Sequence, residues 1–384
     1  MRAEQQLILL CAGTAERREE LSDRAKRLAS DVDWARLAET LRARKLLPTL
    51  GPRVLELAGG LATADFAAAV EQAIEAGRRQ GAFLQLISLR AIAVLADAGI
   101  RSSALKGPLL GEAIYGDPGR RLSGDIDLLV APEQLQLAAD VIRGFGYDAP
   151  SDYVDDTGLP LLHFVLLHER GELPPIELHW RVHWYEQGFA RDRLLPPEID
   201  QTGGWRPAPV DDLAALLLFY ARDGFIDLRL ATDIGAWWDR HGIELPADAL
   251  SELMRDYPAL RRVLPAAVKA AENTVGLPAA DILGDMPTLG LRERVAVRLA
   301  NPNPRSSQSQ LYADVGLIDG LLTPSGGFGA FVRRQVLPPA EVLEQQAEHG
   351  ERSRARSSIG RCAGVLARYS ARIVRLTRAP EALR

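Results

Sequence analysis

The stretch Arg121-Leu-Ser-Gly-Asp-Ile-Asp-Leu-Leu-Val130 places two carboxylates inside an apolar run. In an extended strand alternate side chains point to the same face, so the side chains of Asp125 and Asp127 are expected on one face of the strand. Burying two such charges is costly unless a cation or a network of hydrogen-bond donors compensates them. A divalent metal ion such as Mg²⁺, with positions left for water and phosphate oxygens, explains the pair best. The alternative is a solvent-facing aspartate pair on an edge strand.

Short strands and helices alternate around this aspartate pair. Apolar runs separated by turn residues predict helices at 108–115 and 132–145 and strands at 100–105, 125–130, 163–168 and 176–182. Alternation of this kind indicates a small α/β domain in which helices pack on a sheet. All of the candidate chemistry falls inside that domain.

Helical sequence flanks the α/β domain on both sides. Before it, apolar residues recur at helical spacing with breaks at proline and glycine, and helical periodicity returns after the linker Trp205-Arg-Pro-Ala-Pro209. We therefore predict an α+β fold in which the α/β core lies between two helical regions. The predicted boundaries are a helical N-terminal region at 1–98, the α/β core at 99–208 and a helical C-terminal region at 209–384.

Composition narrows the class of protein. A chain of 384 residues with 47% hydrophobic content can bury a substantial core, and its net charge of −5 gives no global electrostatic reason to bind nucleic acid. Cys11 and Cys362 stand near opposite ends without metal-type spacing, which favours a reducing cytoplasm over a disulfide-linked protein. Uninterrupted apolar runs fall short of the ~18 residues that a membrane span needs, and the N-terminus is interpreted as a first helix, not a signal peptide.

The C-terminal segment 352–384 combines arginines with apolar residues at helical spacing. An amphipathic basic helix of this kind can lie on an anionic membrane surface or bind an acidic partner. The alternative is an arginine-decorated helix that closes the domain. We favour the alternative, because arginine dominates the positive charge of the whole chain and lysine occurs at four positions only.

A second signal precedes the aspartates at Ala104-Leu-Lys-Gly107, where a predicted strand meets a glycine and a helix begins near Pro108. Glycine allows the backbone to approach a ligand closely, and a helix N-terminus offers unpaired N–H groups to a phosphate. Lys106 adds a positive charge for the same phosphate. The turn alone is weak evidence, since junctions of strand, glycine and helix also arise for geometric reasons.

A third signal follows at Pro175-Ile-Glu-Leu-His-Trp-Arg-Val-His183, where Glu177, His179 and Arg181 share one strand face. If this strand lies beside the aspartate strand, Glu177 supplies a third carboxylate to the same metal ion. His179 then orients a carboxylate or contacts the substrate, and Arg181 neutralises phosphate charge. A zinc site built on the two histidines is less favoured, because the carboxylate pair suits a hard, oxygen-preferring ion. We interpret His183 as a structural histidine.

These residues together resemble a known family. The resemblance rests on Leu105-Lys-Gly107, Tyr115, Arg120, Arg121, Ser123, Asp125-Ile-Asp-Leu-Leu-Val130 and Glu177-Leu-His-Trp180. The pattern is similar to the poorly characterised nucleotidyltransferase family of the polymerase-beta-like superfamily, a type also found in lasso-peptide gene clusters. The similarity is strongest over about residues 90–185 and is looser at 219–238.

The resemblance implies a small mixed sheet with flanking helices, and transfer of a nucleoside monophosphate from an NTP such as ATP with Mg²⁺ or Mn²⁺. By position, Asp125 and Asp127 match the metal-binding pair and Glu177 matches the third acidic residue. Gly107 matches the glycine beside the triphosphate. The metal ions would activate an acceptor hydroxyl and stabilise the departing pyrophosphate, with Glu177 also available as a general base.

The glycine turn departs from the superfamily pattern. Most members have Gly-Ser or Gly-Gly there, whereas this chain has Lys106-Gly107-Pro108, and proline lacks a backbone donor. Phosphate binding is therefore expected to depend more on side chains than on backbone amides. The candidates are Lys106, Arg120, Arg121 and Ser123.

Three alternatives to this function stay open at the level of sequence. One is a different phosphoryl transfer to a peptide or protein, and another is a nucleotide-binding protein without turnover. The third is RNA as the acceptor, which is less favoured because the core lacks interleaved basic and aromatic residues. The leading hypothesis is transfer to a hydroxyl of a protein, a peptide or a small molecule.

Overall fold

The computed structural model describes residues 2–148, 162–186, 188–284, 288–300 and 308–327, together with residues 329 and 331. The strands are β1 (Ser102–Ala104), β2 (Ile126–Val130), β3 (Tyr147–Asp148), β4 (His163–His168) and β5 (Ile176–His179). The helices before the sheet are α1 (Ala3–Cys11), α2 (Ala15–Glu20), α3 (Ser22–Ala29), α4 (Trp34–Ala43), α5 (Leu47–Ala58) and α6 (Ala64–Asp97). Those within and after it are α7 (Pro108–Tyr115), α8 (Leu135–Gly144), α9 (Phe189–Arg193), α10 (Pro209–Arg222), α11 (Leu228–His241), α12 (Ala249–Asp256), α13 (Val263–Val275), α14 (Ala279–Leu283), α15 (Leu291–Leu299) and α16 (Gln308–Leu322).

The sheet is small and mixed, with strand order β1-β2-β5-β4-β3. Strands β2 and β5 run parallel and place Asp127 directly opposite Glu177, while the other neighbouring pairs are antiparallel. The antiparallel pairing of β4 with β5 sets His163 opposite His179. Because side chains alternate along a strand, these four residues lie on one face. The predicted α+β fold with a mixed sheet and helical flanks is confirmed.

Four strand ends differ from the predictions. β1 begins two residues later and ends one residue earlier than expected, and β2 begins at Ile126, so Asp125 lies just outside the strand. β5 ends at His179 instead of Val182. The backbone N–H groups of Val182 and His183 donate to the carboxylate of Glu186 at 3.0 and 3.3 Å, so they are not available to a sheet. Arg181 therefore lies beyond the strand, and it is exposed.

Glu186 gives the protein a specific dependence of stability on pH. Burial raises its pKa from an ordinary value of 4.5 to about 8, and Oε1 has no hydrogen-bond partner among the described residues. A carboxyl that holds its proton more tightly when folded contributes stability that is complete below about pH 4.5 and is lost as the pH rises towards 8.

We expect Glu186→Gln to remove this dependence. Its amide carbonyl still accepts both backbone N–H groups, so the variant should be more stable than the wild type at pH 8 and equal to it near pH 4.5. Denaturant unfolding across this range measures the difference. Glu172→Gln, at an exposed position between β4 and β5, is the control and should leave the pH profile unchanged. A constant offset between Glu186→Gln and the wild type at every pH would contradict the assignment.

The two faces of the sheet pack differently. One face carries Ile126, Leu128 and Leu178, which form a buried cluster with residues of α6 and α8. The opposite face carries the polar residues of β2, β4 and β5. The larger buried cluster joins helices that precede the sheet in the chain to helices that follow it, including α1, α5, α10, α11 and α13. The domain boundaries at residues 98 and 208 stay a prediction.

Helix α6, at Ala64–Asp97, is longer than the strongly apolar part of its own sequence. It starts at the capping residue Thr63, whose side chain accepts the backbone N–H of Phe66 at 3.3 Å. Its residue Gly77 passes so close to the chain before β2 that a Cβ there would lie 2.2 Å from the carbonyl oxygen of Gly119. This contact fixes the segment that leads to the aspartates.

Among the described helices, α6 is the one that is long and apolar enough to cross a membrane. This is weak evidence for a membrane span, because buried core helices meet the same criteria.

Candidate functional site

Five side chains meet on the polar face of the sheet and form what we call the polar cluster: Lys106, Asp127, His163, Glu177 and His179. Asp127 comes from β2, His163 from β4, and Glu177 and His179 from β5, while Lys106 follows β1. Adjacent strands lie about 4.8 Å apart, so facing residues on β2 and β5 are brought close by the sheet itself. The strand adjacency that the sequence analysis required for Glu177 is present.

Asp127 is the most buried acidic residue of the polar cluster, with 4% of its surface exposed. Its Oδ1 accepts from the Nζ of Lys106 at 2.8 Å and lies 3.0 Å from the Nε2 of His179. Burial alone would raise the pKa of Asp127, but the charge of Lys106 and the hydrogen bond from His179 outweigh it and hold the pKa well below its usual range. The carboxylate is therefore ionised at neutral pH.

Glu177 lies between the two histidines. Its Oε2 is 3.3 Å from the Nε2 of His179 and 3.5 Å from the Nε2 of His163. Burial would raise the pKa of Glu177, but the interaction with the imidazole of His179 outweighs it and the net shift is downward. Burial and the neighbouring His179 lower the pKa of His163 to about 4, so that imidazole is neutral at pH 7. The cluster thus holds two carboxylates beside one ammonium group.

Helix α10 covers one side of the polar cluster. The Nζ of Lys106 lies 4.4 Å from the ring centroid of Phe219, and the guanidinium of Arg222 lies 4.8 Å from the same centroid. The ring of His179 meets Phe219 edge-on at 6.0 Å. Cations over an aromatic face are stabilised by its quadrupole, so Phe219 helps to keep Lys106 beside Asp127.

Asp125 lies just before β2 and is held by a different set of contacts. Its Oδ1 accepts from the hydroxyl of Ser123 at 2.7 Å. The carbonyl of Ser123 accepts from the side chain of Gln80 at 2.7 Å, and Arg229 donates to the carbonyl of Leu122 at 3.2 Å. Helices α6 and α11 thus fix the segment that presents Asp125. The role of Ser123 in binding phosphate stays a prediction, since its hydroxyl contacts Asp125 here.

The two arginines before this segment are engaged in packing. Arg121 is 3% exposed and donates through Nε to Asp233 at 2.8 Å. Arg120 donates to the carbonyl of Thr49 at 3.1 Å and lies over the ring of Tyr115. These contacts tie the chain before β2 to α5 and α11. Phosphate binding by Arg120, Arg121 or the exposed Arg181 stays a prediction.

Gly107 adopts a backbone conformation that only glycine tolerates well. Its φ is 80° and its ψ is −152°, and a Cβ at this position would meet no atom within 4 Å. The turn therefore leaves open space beside Lys106, at the start of α7. A ligand can approach the backbone closely there.

Gly107→Ala is expected to destabilise the protein by about 1–3 kcal/mol, because an alanine at this φ and ψ is strained although its side chain meets no neighbour. Chemical denaturation measures the loss. Gly144→Ala at the end of α8 is the matched control, since its Cβ also meets no atom within 4 Å and its φ is ordinary. The control should be neutral or slightly stabilising. Equal losses in both variants would contradict the assignment of strain to Gly107.

Sequence reasoning missed two residues of the site. His163 joins the polar cluster through the antiparallel register of β4 with β5. Lys45, between α4 and α5, has a φ of 57°, which is unusual for a residue other than glycine, and its Nζ lies 3.5 Å from the Cβ position of Gly124. It thus places an exposed cation next to Gly124, the residue before Asp125. Its one signal in the sequence is that lysine is so rare in this chain.

The donors suit a divalent ion. Asp127 and Glu177 are ionised oxygen ligands facing each other on adjacent strands, and Mg²⁺ and Mn²⁺ prefer carboxylate oxygens. Asp125 lies two residues before Asp127 in the same segment. These carboxylates are thus the right type of donor for the metal ion that the resemblance implied, whereas the group of three ligand atoms within 4.8 Å among the described residues is His163, Glu177 and His179. Metal binding by Asp125, Asp127 and Glu177 stays a prediction.

Comparison with protein families identifies one match. A family model described as an uncharacterised nucleotidyltransferase matches residues 30–274, which include the polar cluster, Asp125 and Lys45. Comparisons with curated proteins and with solved structures give no match.

Proposed function

The chain belongs to the uncharacterised nucleotidyltransferase family, which supports a general nucleotidyl-transfer function, and we propose that it moves a nucleoside monophosphate from an NTP to a hydroxyl acceptor with Mg²⁺ or Mn²⁺. The acceptor class that we propose is a protein, a peptide or a small molecule. A net charge of −5 disfavours nucleic acid as the acceptor. We also propose a cytoplasmic location, with which the free, buried thiol of Cys11 is consistent.

One observation carries this proposal. Asp127 and Glu177 face each other across parallel strands, both ionised, next to a lysine that precedes a glycine turn. If Lys106 and Asp127 only stabilised the fold as an ion pair, Glu177 would not be needed on the same face of the sheet. Two carboxylates with an open glycine turn beside them provide a place for a metal ion and a place for phosphates.

Asp125, Asp127 and Glu177 would hold the divalent ion. When bound, that ion lowers the pKa of the acceptor hydroxyl and stabilises the charge of the departing pyrophosphate. Glu177, with 20% of its side chain exposed, would also be within reach of the acceptor hydroxyl as the base that receives its proton. His179, fully buried, orients Asp127 and Glu177 by contacting both carboxylates through Nε2. Catalysis is thus proposed to depend on positioning and electrostatics.

Two lysines bind the triphosphate in this proposal. Lys106 approaches from the glycine turn, where its side chain is 14% exposed. Lys45 approaches from the N-terminal helices, next to Gly124. Both can neutralise phosphate oxygens as flexible point charges, which offsets the proline that removes a backbone donor from the turn. The N-terminal helices therefore contribute directly to the site.

We expect Lys106→Ala and Lys45→Ala each to weaken binding of a non-hydrolysable NTP by about tenfold, because each variant loses one charge-assisted contact to phosphate. Isothermal titration calorimetry with Mg²⁺ or Mn²⁺ measures the affinity. Lys26→Ala, on the exposed surface of α3, is the control and should bind like the wild type. Absence of NTP binding by the wild type would reject this function and every alternative that uses a nucleotide.

The transferred group is tested separately from nucleotide binding. The leading alternative is another phosphoryl transfer to a peptide or protein. The mass added to a modified acceptor distinguishes a nucleoside monophosphate from a phosphate or a pyrophosphate. A protein that binds NTP but modifies no acceptor would support the non-catalytic alternative. Segment 352–384, for which a helix closing the domain was favoured over contact with a membrane surface, lies outside the described residues.

A further inference from the structure

His163, Glu177 and His179 form a compact group of three metal-binding side chains. One ligand atom from each lies within 4.8 Å of the other two, and among the described residues this is the one such group. Two of its members, His163 and Glu177, each have side chains that are 20% exposed, whereas His179 is fully buried. His179 thus holds the group inside the protein, whereas His163 and Glu177 can be reached from solvent.

The distances inside this group are poor for hydrogen bonds. The Nε2 atoms of His179 and His163 lie 3.3 and 3.5 Å from the same oxygen of Glu177, beyond the usual 2.7–3.2 Å range of N–H···O bonds. The Nδ1 atoms of both histidines are buried and have no hydrogen-bond partner among the described residues. The Nε2 of His179 has a partner in Asp127 at 3.0 Å, whereas the contacts of Glu177 with His179 and His163 are longer than a normal hydrogen bond, so a metal ion can take the place of both.

The same distances fit the edges of a coordination sphere. Zinc bonds to nitrogen and oxygen ligands are about 2.0–2.1 Å long, and a tetrahedron built from them has edges of about 3.3–3.4 Å. The two measured contacts to Glu177 match such edges. The remaining separation, between the two imidazole nitrogens, is at most 4.8 Å, and binding requires it to shorten by movement of His163, which is partly exposed.

We propose that His163, Glu177 and His179 bind a transition-metal ion of Zn²⁺ type at a site that shares Glu177 with the nucleotidyl-transfer centre. Two imidazole nitrogens and one carboxylate oxygen are a donor set that favours borderline ions over Mg²⁺. The site takes no ligand from Asp127 or Lys106, but the Nε2 of His179 would exchange its 3.0 Å contact with Asp127 for the ion. Its open side leaves a fourth position for water or a substrate group.

Zinc binding by the full-length chain, titrated with ZnCl₂ by calorimetry in the absence of nucleotide, tests the proposal. We expect one Zn²⁺ per chain in the wild type and an affinity at least about tenfold lower in His163→Ala. His168→Ala removes a histidine from the same strand but from the other face, where it packs on Tyr147, and should bind like the wild type. A large excess of Mg²⁺ should not displace the zinc.

Three results would overturn the proposal: no zinc binding by the wild type, equal binding by His163→Ala, or displacement of the zinc by Mg²⁺. If His163→Ala loses its helical circular dichroism, His163→Gln replaces it, because glutamine keeps a polar side chain at this half-buried position. The outcome is independent of the proposed function. Failure of nucleotidyl transfer appears as absent NTP binding with Mg²⁺, whereas failure of this proposal appears in the zinc titration alone.

Discussion

Asp127→Asn is expected to reduce Mg²⁺-dependent nucleotide transfer on the order of a thousandfold, the range seen when a group that stabilises phosphoryl-transfer charge is lost. The asparagine oxygen can still accept from Lys106 and His179, so the fold and the position of both side chains should be preserved. The variant loses the negative charge that holds a divalent ion opposite Glu177. The rate of pyrophosphate release from an NTP measures the effect.

Asp140→Asn is the control for this substitution. Asp140 is an aspartate on the exposed side of α8, paired with Arg143 one turn away, and its loss should leave the rate unchanged. The far-UV circular dichroism of Asp127→Asn should match that of the wild type. A rate in Asp127→Asn close to that of the wild type, in a folded protein, would remove Asp127 from the metal centre.

Arg121→Ala should destabilise the protein by about 3–5 kcal/mol, the usual cost of removing one partner of a buried ion pair. The pair with Asp233 has side chains that are 2% and 0% exposed, at 2.8 Å. Without the arginine, Asp233 keeps the hydroxyl of Tyr115, which donates at 2.8 Å but carries no compensating charge. Such a loss is a large fraction of the total stability of most domains, and denaturant unfolding measures it.

An exposed ion pair supplies the control for Arg121. Arg255 and Glu252 are 2.9 Å apart on α12 with side chains that are 66% and 62% exposed, so Arg255→Ala should cost less than about 1 kcal/mol. If Arg121→Ala proved as mild as Arg255→Ala, the buried pair would not be what holds α11 to the chain before β2.

The residues that sequence reasoning placed correctly depend on local rules. Alternation along a strand puts Glu177 and His179 on one face, and the apolar runs predicted β4 and most of β2. A glycine between a strand and a helix predicted the turn at Gly107. These features need only neighbouring residues along the chain. Local periodicity was therefore enough to predict them.

Contacts between residues far apart in the chain could not be predicted from such local rules. His163 reaches the polar cluster through the register of β4 with β5, and Lys45 reaches Gly124 through the packing of the N-terminal helices. Arg121 was predicted to bind phosphate, but its partner Asp233 lies 112 residues later in the chain. A charged residue near a candidate site can serve the fold or the ligand, and only its surroundings distinguish the two.

A crystal structure with a non-hydrolysable NTP and Mg²⁺ tests the proposed nucleotidyl transfer most directly, because it needs no knowledge of the acceptor. We predict that the α-phosphate and the metal ion lie against Asp125, Asp127 and Glu177, with the β- and γ-phosphates near Lys106 and Lys45. An NTP whose γ-phosphate, instead of its α-phosphate, lies against these carboxylates would indicate a different phosphoryl transfer. An NTP bound away from the polar cluster would contradict nucleotidyl transfer at this site.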